Sequence, residues 1–242
     1  YIAGMGIMNR LMSYTGTLIA GAQLGTTAAG LYGRAVRIGN IPPLRIMQPL
    51  SGTIMPALSR LQDDPEAMRA MFVRMISRAN LLLVPVAVIM AAGAAPIVTI
   101  LLGPKWTEAT PLMFWMSLMT LRASANHGLR YALLAHGKSR EIFFNTLARF
   151  VIVIATLYFS APYGLVTMTA SYMLVETFIT LPMMMHLALR FTPLNFGCIM
   201  RASLDGMVFA VVLTAALILF VNPWLSREPA LVQLIGICLL TG

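Results

Sequence analysis

Residues 24–66 read LGTTAAGLYGRAVRIGNIPPLRIMQPLSGTIMPALSRLQDDPE. The middle of this stretch, 29–58, is long and apolar enough to cross a bilayer, yet it carries Arg34, Arg37 and Arg45. At about 100° per residue these three and Gln48 fall within an arc of roughly 80°, with Gly30, Gly52 and Ser59 on the same side. Ile, Leu, Val and Met fill the opposite side. Each arginine costs about 2.5–3.5 kcal/mol at a bilayer centre on insertion scales, and lipid cannot hydrate a guanidinium. The arginine side therefore has to face water, protein or an anion, and the expectation is an internal cationic cavity for an anionic substrate. Pro42, Pro43, Pro49 and Pro56 kink this helix and can rotate its halves relative to each other.

The rest of the chain follows the same logic. Of 242 residues, 59% are hydrophobic and 10% charged, with a mean hydropathy of +0.81. This is the composition of an all-α, polytopic transmembrane helical bundle. No strand-like alternation recurs, which argues against a β-barrel. The net charge of +9 would suggest nucleic acid in a soluble protein. Here the cations lie between and inside apolar spans, so no nucleic acid partner is expected. Cys198 and Cys238 are isolated, and His127, His136 and His186 are scattered, so neither a disulfide framework nor a metal site nor a cofactor is expected. The chain starts at Tyr1 inside an apolar stretch and stops at LLTG inside another, which points to a segment of a longer protein.

About eight spans are expected, near 1–23, 29–58, 79–102, 111–135, 141–160, 163–189, 204–221 and 230–242. The loops after spans 2, 4 and 6 hold Arg60, Arg69, Arg74, Arg78, Lys138, Arg140, Arg190 and Arg201. Those after spans 1, 3, 5 and 7 hold only Lys105 and Arg227. The positive-inside rule puts the first set in the cytoplasm. In the longest cytoplasmic loop, 59–78, Asp64-Pro65-Glu66 reads as a helix start, with Asp as N-cap and Pro at the first position. An amphipathic interfacial elbow helix is expected to follow it. Tyr32, Trp106, Tyr163 and Trp224 fall at the outer boundaries as an aromatic belt would.

Polar residues recur inside the other spans. Arg10, Ser13, Tyr14 and Thr17 share a face of span 1. Arg122, Asn126 and Arg130 recur every fourth residue and form one stripe of span 4. In span 5, Glu141, Asn145, Arg149 and Thr156 cluster on one side. Span 6 carries a lone acid, Glu176, and span 7 opens with Asp205, read as an interfacial N-cap. The candidate substrate-binding residues are thus Arg10, Arg34, Arg37, Arg45, Arg122, Asn126, Arg130 and Arg149. Snorkelling to the surface is the alternative for Arg34 and Arg130, which lie near helix ends. Glu176 has two readings, as a buried counter-ion of an arginine or as a protonatable coupling site. No catalytic grouping or phosphate-cradling glycine motif stands out, so an enzyme is not expected. Abundant Gly, Ala and in-span Pro suit closely packed, bending helices.

Four strings carry a family resemblance. LG…AAGLYGRAVRIGNIP (24–42) resembles the LG..ALGYYSLAYRLANLP pattern of the polysaccharide/oligosaccharide flippase family, of the Wzx, WzxC and succinoglycan-transporter kind. IMPALSRLQDDPEAMR (54–69) resembles the FPAFSRLQDDPERLR that follows it there, and LLGPKW..A.PLM (101–113) and APYGLV (161–166) match in order. That family belongs to the multidrug/oligosaccharidyl-lipid/polysaccharide exporter superfamily. The resemblance implies that residues 1–190 form the second six-helix bundle of a two-bundle transporter, with additional helices in 191–242. It implies a multi-pass protein of the bacterial inner membrane. By alternating access this would flip undecaprenyl-pyrophosphate-linked oligosaccharide repeat units for exopolysaccharide or O-antigen biosynthesis. A polysaccharide polymerase and chain-length machinery would be its partners. The Arg of the YRLANLP string maps onto Arg37, while Arg34 is an extra basic residue beside the pattern. Two alternatives stand beside it. An ion-coupled multidrug exporter of the same superfamily calls for acid-lined cavities, and a membrane polysaccharide polymerase calls for a large outer loop.

Overall fold

The computed structural model describes residues 1–61 and 63–216, and these fold into eleven α-helices with short connecting turns and no described strand. The eighth expected span and the end of the seventh lie outside the described residues, as do Trp224, Arg227 and Cys238. The helices are α1 (Ile2–Leu24), α2 (Thr26–Gly39), α3 (Ile41–Arg60), α4 (Pro65–Ala92), α5 (Ala94–Leu102), α6 (Thr110–Leu121), α7 (Ala123–Ala135), α8 (Ser139–Ser160), α9 (Leu165–Val175), α10 (Leu181–Phe191) and α11 (Phe196–Ala216). Among the described residues three continuous helical stretches are long and apolar enough to cross a membrane: Pro65–Ala92, Ser139–Tyr163 and Leu165–Phe191.

Several expected spans are interrupted. The 29–58 span is two helices, parted at Asn40 (φ −87, ψ −8). The cause is local: Pro42 and Pro43 lack the N–H groups that would bond Ile38 and Gly39, and their rings crowd those carbonyls. Pro49 and Pro56, in contrast, sit inside a continuous α3. The 111–135 span parts at Arg122 (φ −91, ψ −8), and the 79–102 span at Gly93 (φ −91, ψ 17). The 163–189 span stays helical but widens into a π-turn over Glu176–Thr180. Pro182 stands two residues after the turn and removes the N–H that would bond the Phe178 carbonyl.

The expected elbow helix is not separate. Asp64 Oδ1 accepts the N–H groups of Glu66 (3.1 Å) and Ala67 (3.0 Å), so the cap reads as expected. The helix it starts then runs unbroken through 28 residues, past Pro85. Asp205 likewise lies within α11, whose start is instead marked by Asn195 Oδ1 accepting the Cys198 N–H at 2.7 Å. Tyr32, expected in an interfacial belt, is buried, and its ring lies against Gly16.

The buried side chains form two apolar clusters. One gathers Met5, Met47, Leu58, Phe72, Leu133, Ile142 and Leu194. The other gathers Ala20, Leu31, Ile97, Leu112, Leu157, Ala161 and Met168. The turns at 61–64, 136–138 and 192–195 adjoin the first, where Arg69 Nε donates to the Pro193 carbonyl at 2.6 Å and Lys138 lies over the Phe191 ring. The turns at Gly25, Gly103 and Gly164 adjoin the second, where Gln23 donates to the Tyr158 carbonyl at 3.3 Å. Successive helices thus run between two ends. All three turns of the second end share one backbone shape, φ +91 to +104 and ψ 162 to 171, which a side chain would strain. Close packing rests on small residues. A Cβ on Gly128 would come within 2.2 Å of Ile76 Cδ1, and one on Gly39 within 2.7 Å of Met116 Cβ.

Candidate functional site: a cationic cavity between two apolar clusters

Along several helical stretches, a polar residue separates the part that enters one cluster from the part that enters the other. Asn9 lies between Met5 and Met12, and Asn40 between Ile38 and Ile46. Arg122 lies between Met119 and Ala123, Arg149 between Phe143 and Phe150, and Glu176 between Tyr172 and Leu181. A polar layer therefore crosses the bundle at mid-depth. The interruptions at Asn40 and Arg122 and the π-turn at Glu176 fall in that layer.

A cavity of about 380 Å³ opens there. Its basic wall is Arg122, Arg130 and Arg149, and Asn9, Ser13, Asn40, Gln48, Asn126, His127 and Tyr172 add polar groups. The stripe of Arg122, Asn126 and Arg130 faces it along its whole length, because α7 turns one face to the space between α1, α3 and α8. Met12, Val36, Pro43, Leu44, Met119 and Leu157 are among the apolar remainder.

Behind the wall sits Glu176, with a side chain fully out of contact with solvent. Arg149 Nε and Nη2 each approach its Oε1 at 2.8 Å, and Arg122 Nη2 pairs with Oε2. Thr180 Oγ1 donates to Oε2 at 3.1 Å and lies 2.9 Å from the Glu176 carbonyl. Asn9 Oδ1 accepts from Arg149 Nη1 at 3.4 Å. Among the described residues both ion pairs end on Glu176. Three arginines against one carboxylate leave the cavity with an excess of two positive charges (3 − 1 = 2). A second, smaller cavity of about 260 Å³ lies on the other face of Arg122, lined by Asn80, Ser124, Leu118, Leu181 and their neighbours, with Ser124 Oγ donating to Asn80 Oδ1.

The other sequence-nominated residues lie elsewhere. Arg10, Arg37 and Arg45 are exposed and do not line the cavity. Arg34 is also exposed, with its guanidinium 3.9 Å from the centre of the Trp106 ring and Gly30 packed beside the same ring. Of the span 5 group only Arg149 reaches the cavity, and Tyr14 is exposed. Sequence reasoning missed Asn9, Asn40 and Tyr172 as cavity residues. For Asn9 the signal was present, since it precedes the Arg10 to Thr17 face by a single residue.

Comparison with known proteins bears on what such a cavity serves. Residues 1–111 match the family described as Polysaccharide biosynthesis protein. The chain is 24% identical over 171 residues to the lipopolysaccharide biosynthesis protein WzxC of Escherichia coli K12, a match covering 70% of this chain and 35% of that one. It is 26% identical over 161 residues to an uncharacterized membrane protein in the cps region of Klebsiella pneumoniae, covering 66% and 33% respectively. It is 22% identical over 138 residues to the teichuronic acid biosynthesis protein TuaB of Bacillus subtilis, covering 57% and 29%. No solved structure matches the chain. The matched part spans about a third of the length of these curated relatives. Residues 1–111 are thus similar to the polysaccharide biosynthesis family, and the long apolar helices together with these matches make this a helical membrane protein.

Proposed function

We propose that the protein carrying this chain flips undecaprenyl-pyrophosphate-linked oligosaccharides across the bacterial inner membrane, as a multi-pass, non-enzymatic transporter supplying polysaccharide assembly. The observation that carries this reading is the basic wall of Arg122, Arg130 and Arg149 on a cavity at mid-depth, with a net excess of positive charge. A pyrophosphate carries two or more negative charges, and guanidinium forks bind such oxygens bidentately. Asn9, Asn40, Gln48 and Asn126 offer neutral donors and acceptors suited to sugar hydroxyls. The lipid tail stays in the bilayer while the headgroup crosses through the polar layer, so the cavity has only to lower the barrier for the headgroup. Cationic drugs would meet repulsion from the same wall, which disfavours the multidrug alternative.

The test is transbilayer movement of a lipid-linked oligosaccharide in proteoliposomes containing the full-length protein. Arg130→Gln, which breaks no ion pair among the described residues, is expected to slow flipping about ten-fold or more, the loss of one charge-assisted contact of about 1.5–3 kcal/mol. Flipping at the wild-type rate by this variant and by Arg149→Gln would overturn the reading.

A further inference from the structure

An anion entering the cavity meets two arginines, Arg122 and Arg149, whose N–H groups are partly taken. Glu176 holds Arg149 through Nε and Nη2 and holds Arg122 through Nη2, from a position behind both. Arg122 keeps one buried donor, Nε, without a hydrogen-bond partner among the described residues. The carboxylate is also tied to the backbone of its own π-turn. The single hydroxyl proton of Thr180 is shared between two acceptors, the Glu176 carboxylate and the Glu176 carbonyl, so a loss at one strengthens its bond to the other. Arg122 itself stands at the interruption between α6 and α7. The three charged groups thus connect two places where the helices depart from regular geometry.

We propose that Glu176 is a built-in competitor for the substrate's phosphate oxygens, and that its displacement reshapes the π-turn between α9 and α10. This rests on the anion-binding reading of the cavity. In the empty cavity the carboxylate occupies the arginines and keeps them from binding an anion too tightly. An arriving phosphate takes over part of Arg149 and Arg122, and Glu176 is left with fewer partners. Thr180 passes that change to the turn. When the headgroup leaves, Glu176 recaptures the arginines, which favours release over trapping. An internal anion of this kind trades affinity for turnover, because a carrier that held pyrophosphate with three free arginines would let go slowly.

The test measures inorganic pyrophosphate binding to the purified full-length protein by calorimetry. Glu176→Gln is expected to tighten binding about ten-fold, a gain of about 1.4 kcal/mol, and to lower the flipping rate. Adding Arg122→Gln to Glu176→Gln is expected to remove most of that gain. Because a Glu176 variant can fail to fold, a second measurement keeps the native carboxylate. An environment-sensitive thiol label on Phe178→Cys, an exposed position of the π-turn, is placed in a background with every other cysteine replaced. Its emission is expected to change on saturation with pyrophosphate. Wild-type binding that Glu176→Gln leaves equal or weaker overturns the competitor role while the anionic cavity stands. An unchanged label signal at saturation overturns the coupling to the turn. Absence of pyrophosphate binding by wild type and all variants overturns the cavity reading and this proposal together.

Discussion

Two groups of arginines share this chain and differ in almost every physical respect. Arg34, Arg37 and Arg45 sit on α2 and α3 with exposed side chains, and only Arg34 has a described partner, the Trp106 ring. Arg122 and Arg149 sit on α7's threshold and α8, with side chains 10% and 23% exposed and a shared buried carboxylate. The first group stands where sequence alone draws attention, three cations in one apolar run. The second is dispersed over sequence positions 122 to 176 and assembled only by folding. The lesson is that the number of charges in a span says little about what they face. Their partners on other helices decide that.

The contrast predicts a steep hierarchy of substitutions. The largest effect is expected from Glu176→Ala, which leaves two guanidiniums facing each other without a counter-charge. Removing one partner of a buried ion pair costs about 3–5 kcal/mol. The expected outcome is a marked fall in the unfolding midpoint of the detergent-solubilised protein, or loss of the protein from the membrane. Arg37→Ala and Arg45→Ala are expected to leave that midpoint within about 0.5 kcal/mol of wild type, as exposed sites do. Equal effects at both sites would erase the distinction.

Next in size is Gly128→Ala. Its added Cβ would come within 2.2 Å of Ile76 Cδ1 and 2.9 Å of Met75 Cε, so these buried side chains have to repack between α7 and α4. Overpacking of this kind costs about 1–3 kcal/mol. Because Asn126 and Arg130 stand on the opposite, cavity-facing side of the same helix, flipping should fall along with stability. Thermal unfolding and proteoliposome flux on the same preparation check both. Gly52→Ala, where an added Cβ meets nothing within 4 Å, is the matched control and should be silent.

The smallest expected effect is at the exposed group itself. Arg34→Ala removes a cation–π contact worth about 0.5–1 kcal/mol. A shift of the unfolding midpoint by a degree or two, with flipping retained, is the expected result. Arg34→Lys should recover part of it. A large loss of flipping from Arg34→Ala alone would move the exposed group into the substrate path.

Much of the fold was readable because its signals are local. Apolar length, the Asp64-Pro65 helix start and the alternation of basic loops needed no partner helix, and the turns at 61–64 and 136–138 do lie at the end opposite Gly25, Gly103 and Gly164. The interruptions were harder. Pro42 and Pro43 announce the one at Asn40, but nothing in the sequence around Arg122 marks a break, and at the π-turn Pro182 alone does not tell a widened turn from a kink. At the site, the every-fourth-residue stripe of Arg122, Asn126 and Arg130 was legible from helical periodicity, and all three line the cavity. The pairing of Glu176 with an arginine was one of its two sequence readings. That it binds two arginines at once required three helices in register. Tyr32 misled because an aromatic near a helix end looks interfacial whether or not another helix covers it.

Access and protection at Asn126 would decide whether this mid-depth space is wet and takes phosphate. In the full-length protein, with other cysteines replaced, Asn126→Cys is expected to react with a water-soluble, membrane-impermeant thiol reagent, and inorganic pyrophosphate is expected to slow that reaction. Val151→Cys, on the exposed apolar face of α8, should resist the reagent whether or not pyrophosphate is present. An unreactive Asn126→Cys, or one whose labelling rate ignores saturating pyrophosphate, would contradict the account.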